Sequence, residues 1–168
     1  VSKLIEHMVD LRTWSESGIV LLVTVLEFQS QVKDRARAID EGKRANASKL
    51  LNNMAQTIES LEREIRSETP IVDPLLGKMR VYLAAFKDIF EPLLGKAAAG
   101  AIYDRLAELF LARADGGPLL VHGLLEMKKH HGSSDQQGHC NAAIATLTLA
   151  AEQLFALAEI VEFPEAFS

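Results

Sequence analysis

Apolar residues recur every three or four positions along most of this chain, which is the period of an amphipathic helix. The clearest case is residues 46–66. Ala47, Leu50, Met54, Leu61 and Ile65 line one stripe, joined by Leu51 and Ile58, and polar residues fill the other face. Such a pattern predicts a surface helix of a bundle. Residues 2–14 predict a shorter helix with Leu4, Ile5, Met8, Leu11 and Trp14 apolar, and Ser15-Glu16-Ser17-Gly18 then breaks or bends the chain. Beyond it, Ile19, Leu22, Leu26, Val32, Ala36 and Ile39 again step by helical spacing. Ile19–Phe28 taken alone is β-branched enough for a strand, but the periodic continuation favours helix, with Gly42 as its C-terminal cap. Residues 2–39 therefore read as one long helix or as two.

Two six-residue segments punctuate the middle of the chain. Residues 73–78 are Asp-Pro-Leu-Leu-Gly-Lys and residues 91–96 are Glu-Pro-Leu-Leu-Gly-Lys. An acidic residue before proline is a helix-start signal, because proline at the first helical position lacks only an N–H that would be unpaired there. The first unit predicts a helix with Asp73 as cap and Leu76, Met79, Leu83, Phe86 and Phe90 buried. Glu91-Pro92 is expected to stop that helix and to start another, which runs through Ile102, Leu106, Leu109 and Phe110. The small residues Gly95 and Ala97–Ala101 suit close approach of a neighbouring helix. Asp115-Gly116-Gly117-Pro118 predicts a turn.

A short helix is expected over 118–131, closed by Gly132, and then a polar loop over 133–138. The last helix is expected at about 139–163, with Ile144, Leu147, Ala151, Leu154, Ala158 and Val161 on its stripe and Pro164 at its end. No Asp, Glu, Lys or Arg occurs between Gln136 and Ala151. That half is expected to be covered on most sides, at the bundle centre or in an oligomer interface. The fold class is thus all-α: a single domain over 1–168, a bundle of about five to seven mostly antiparallel helices.

Charge sharpens this picture by exclusion. Residues 1–129 are neutral overall, and the formal charge of −5 comes from Asp135, Glu152, Glu159, Glu162 and Glu165. A nucleic-acid partner calls for a basic surplus. The best local patch, Lys33, Arg35, Arg37, Lys43, Arg44 and Lys49, is diluted by Asp34, Asp40 and Glu41. The longest strongly apolar run, Ile19–Leu26, is too short for a membrane span, which needs about 20 residues. Asn141, Thr146 and Thr148 argue likewise for the last helix. The single cysteine, Cys140, and an N-terminus without a basic then apolar stretch lead to the expectation of a cytoplasmic location.

Candidate chemistry is sparse. His122, Glu126 and His130 fall four apart on one helical stripe, and adjacent members of such a stripe can share a metal ion. All three cannot share one, because eight residues of helix rise roughly 12 Å. Ligands from elsewhere, such as His7, Asp88, Asp135, His139 or Cys140, would have to complete a site. His122-x-x-x-Glu126 resembles five residues of the hemerythrin ligand set. The companion pair of histidines on another helix is absent, as are the Glu-x-x-His pairs of ferritin-like di-iron bundles, so neither family is assigned. Cys140 next to His139 is no nucleophile pair, since adjacent helical residues face apart. No phosphate loop or nucleophile elbow occurs. Glu59, Glu62, Glu64 and Glu68 alternate with Arg63 and Arg66 as a salt-bridged outer face.

These readings lead to a non-enzymatic helical interaction or regulatory domain, with no catalytic residue and no cofactor, that self-associates as a homodimer or binds a protein partner. A first alternative is a bundle that holds a small apolar ligand or lipid between helices, lined by Trp14, Phe28, Tyr82, Phe86, Phe90, Tyr103, Phe110 and Phe155, although the same residues fill any ordinary bundle core. A second is a metal-binding bundle built on His122, Glu126 and His130.

Overall fold

A computed structural model describes residues 2–112, 119–130 and 134–167. Among them the chain is all-α, with six α-helices, a terminal 3₁₀ turn and no strand. The helices are α1 (Ser2–Arg37), α2 (Glu41–Arg66), α3 (Asp73–Leu94), α4 (Lys96–Phe110), α5 (Leu120–His130) and α6 (Ser134–Glu162), followed by the 3₁₀ turn Pro164–Phe167. The predicted turn at 115–118 and the cap at Gly132 lie outside the described residues.

The centre of the bundle is α6, which packs most extensively on α2 and next on α1. It separates those two helices, although only three residues join them. Its charge-free half explains this placement. Ile144, Leu147, Ala150 and Ala151 are buried, as is Thr146. The stretch Ile144–Glu162 is long and apolar enough to cross a membrane by length and composition, and 56% of it is buried inside the bundle. At its far end, Ser48 of α2 donates a hydrogen bond to Glu162 at 3.0 Å, so the buried hydroxyl is satisfied.

Helices α3 and α4 pack on each other, and α4 also packs on α1. Ala98 and Ala99 are fully buried there, as the small-residue patch predicts. Phe86 and Phe90 stack with ring centroids 4.6 Å apart, and both are inaccessible to solvent.

Several boundaries differ from the sequence expectation. Residues 15–18 do not interrupt α1, which is one helix of 36 residues. A single glycine costs a helix only about 1 kcal/mol, little against the packing of so long an element. Gly42 does not cap α1; it sits in the first turn of α2, and α1 closes earlier with short-range bonds from Ala38 N–H to Arg35 and from Ile39 N–H to Ala36. Asp73 is the first residue of α3 and not its cap, and Val72 precedes it without a side-chain cap bond. The carboxylate instead lies in the first turn, where it complements the helix dipole. Residues 134–138, expected in a loop, are helical and open α6.

The largest difference is at Glu91-Pro92. It neither stops α3 nor starts α4: Pro92 lies within the last turn of α3, which continues to Leu94. Proline removes the N–H that would bond to the Asp88 carbonyl. Asp88 and Pro92 are exposed, so that carbonyl is left on the solvent side. Staying helical two residues longer buries Leu93 and Leu94. The true break is Gly95, at φ 87° and ψ 157°. Gln31 of α1 donates to the Leu94 carbonyl at 2.9 Å and satisfies one of the groups orphaned there.

Candidate functional site

Helix α1 carries the surface that stands out from an ordinary bundle exterior. Between Ile19 and Leu26 it is apolar nearly all round, so the pattern alone does not choose the buried side. Packing chooses it. Leu21, Val25, Val32 and Ala36 enter the core. The opposite face leaves Ile19, Val20, Val23 and Leu26 exposed at 56, 40, 54 and 56%. Ile19, Val23 and Leu26 are spaced by four and three, so they form one strip along the helix. The strip is edged by Glu16, Glu27 and Ser30, all exposed. Single exposed aliphatics are normal, whereas a contiguous group is a candidate contact surface.

The metal candidates are less well placed. His122 and Glu126 are both exposed on α5. His122 Nε2 lies 3.7 Å from Asp73 Oδ1, itself 91% exposed at the start of α3. An acidic group from another helix thus lies beside this imidazole. The side chains of His130, His7, Asp135, His139 and Cys140 lie outside the described set. Among the described residues, no group of three or more His, Cys, Asp or Glu is gathered as a metal site needs.

Of the aromatic residues that could line an apolar pocket or fill an ordinary core, those with described side chains pack in or against the core. Phe86, Phe90 and Phe110 are fully buried, and Tyr82, Tyr103 and Phe155 pack against the same core from its edge. Trp14 and Phe28 have side chains outside the described set. The clefts seen are elsewhere. One of about 480 Å³ lies beside the α1–α2 turn against Pro92, with Asp40, Lys43 and Asp88 in its lining. Another of about 420 Å³ lies between the start of α2 and the C-terminal turn. Arg44 lines it together with Glu41, Glu162 and Glu165. Arg37 pairs with Glu165 at 3.7 Å.

One carboxylate of the expected outer face, Glu62, is partly buried. Burial raises the pKa of Glu62, and Glu59 and Glu152 add to the rise, while a Thr148 hydrogen bond and Arg66 oppose it. A raised native pKa means that the folded state holds more protons than the unfolded one between the two values. Stability therefore falls as pH rises through that interval, and it stays lower above it. Glu62→Gln is expected to melt like wild type at acid pH and above it at neutral pH. Thermal melts across this range check the sign; a variant that melts lower at neutral pH would show that the ionised form is stabilising.

Comparison with protein-family models, curated proteins and solved structures gives no match for this chain.

Proposed function

We propose that this protein is a non-enzymatic helical interaction domain, and that it docks a partner helix on the outer face of α1. One observation carries the reading: four aliphatic side chains lie exposed together on a helix whose reverse face is in the core. A side chain held at the surface gains about 25 cal/mol for each Å² of apolar area later covered. A rigid helix, already ordered by its packing on α4 and α6, offers that area with little further loss of conformational entropy. A strip stepping by three and four residues fits the groove of another helix, where ridges and grooves interlock.

The reading requires that the strip be unneeded for folding. A triple variant, Ile19→Gln with Val23→Gln and Leu26→Gln, is expected to keep wild-type stability, since exposed substitutions each change it by no more than about 0.5 kcal/mol. Leu21→Gln, two residues from both Ile19 and Val23 but on the buried face, is expected to lose about 2–5 kcal/mol. Urea unfolding of the three proteins makes the comparison. If the triple variant falls as far as Leu21→Gln, the strip is packed within the fold and the docking reading fails.

A further inference from the structure

We infer that the partner helix is α1 of a second copy of this chain, packed antiparallel; this rests on the docking reading above and names its partner. The outer face of α1 follows a heptad spacing of three and four: Glu16, Ile19, Val23, Leu26, Ser30 and Lys33. Glu16, Ile19, Val23, Leu26 and Ser30 are exposed and Lys33 is half-buried at the rim. The order of these residues discriminates between the two directions of pairing.

A parallel, in-register pair sets Glu16 against Glu16 and Lys33 against Lys33, and both contacts repel. Turning one helix round about a two-fold axis between Val23 and Leu26 reverses both. Val23 then faces Leu26 of the partner helix twice, Ile19 faces Ser30, and Glu16 faces Lys33 at both ends. The strip is thus complementary to itself in apolar surface and in charge, as a two-fold interface must be. Glu16 and Lys33 also interact within their own chain, so the cross-pairs set direction and register more than they add affinity. The next pair outward, positions 12 and 37, is arginine with arginine and ends the favourable stretch.

The paired segment, 16–33, spans roughly 27 Å of helix. Its apolar centre is small against the area of about 800 Å² that each partner buries in a standard stable interface. The dimer is accordingly weak and reversible, with dissociation expected at roughly tens of micromolar.

Sedimentation of the full chain over a wide concentration range tests this. Wild type is expected to pass from monomer to dimer. Val23→Glu is expected to weaken the dimer about tenfold or more, with circular dichroism confirming that it stays folded and Val23→Ser as a milder second variant. Lys33→Glu is expected to weaken it too, and Glu16→Lys added to Lys33→Glu is expected to restore it. Direction is read by disulfide cross-linking in a Cys140→Ser background. When Val23→Cys and Leu26→Cys proteins are mixed, the mixed cross-link is expected to exceed either self-cross-link, because opposed positions alone meet disulfide geometry. A strict monomer at all concentrations overturns the pairing with a second copy. It leaves the docking reading standing if the triple glutamine variant is as stable as wild type. A dimer indifferent to Val23→Glu, or one in which self-cross-links dominate, also overturns the proposal.

Discussion

Phe86→Ala is expected to cost about 3–5 kcal/mol, among the largest losses from any single substitution in this chain. Phe86 and Phe90 are both fully buried and stacked at 4.6 Å between centroids. Removing one ring forfeits its transfer free energy, leaves a cavity beneath the second ring, and removes a stacked pair worth about 0.5–1.5 kcal/mol of its own. Neighbouring helices cannot close such a void without moving, since interiors are close-packed. For a chain of this length the melting temperature drops about 2–4 °C per kcal/mol, so the expected fall is roughly 6–20 °C. Val81→Ala on the same helix is the control: Val81 is 67% exposed, and its truncation is expected within about 0.5 kcal/mol of wild type. Equal losses for the two variants would mean that α3 buries a different face.

Gly95→Ala is expected to cost about 1–3 kcal/mol, although it adds only a methyl group. Space is not the reason. A Cβ on Gly95 meets the Arg35 guanidinium at 3.4 Å, an ordinary contact with the end of a flexible side chain. The backbone decides instead, because φ 87° with ψ 157° is a region that residues other than glycine avoid. This glycine is the whole joint between α3 and α4. Its strain would either distort the joint or displace Leu93 and Leu94 from the core. Gly100→Ala provides the contrast. Gly100 is inside α4, has no positive φ, and a Cβ there meets nothing within 4 Å. That substitution is expected to stabilise by up to about 1 kcal/mol through helix propensity. Opposite signs from two glycine-to-alanine changes five residues apart, read by thermal unfolding, check that Gly95 is the break.

Much of the fold was legible from period alone. The α2 stripe and the α3 stripe to Phe90 follow from side chains that recur at helical spacing, because each of these helices has one clearly polar face. In the charge-free half of α6, Ile144, Thr146, Leu147, Ala150 and Ala151 are buried, while Asn141, Ala145 and Thr148 keep one side in water without any charge to mark it. Boundaries were harder where a local rule met a tertiary gain. Pro92 obeys the rule that proline opposes helix, yet burial of Leu93 and Leu94 carries α3 past it to Gly95. Gly42 and residues 134–138 carry loop-like composition and still join helices that are long enough to absorb them. The candidate surface was the least legible. Along 19–26 both faces of α1 are apolar, so only the placement of α4 and α6 reveals which four side chains remain outside. Of the two placements expected for the charge-free half of the last helix, bundle centre or oligomer interface, the packing of α6 on α1 and α2 of its own chain fits the first.

The central claim is that self-association uses the α1 strip and leaves α6 as an internal core helix. Hydrogen exchange followed by mass spectrometry at low and high protein concentration tests it most directly. Peptides covering 16–33 are expected to gain protection as concentration rises, while peptides from 144–161 are strongly protected at both concentrations. Concentration-dependent protection in 144–161 with none in 16–33 would contradict the account.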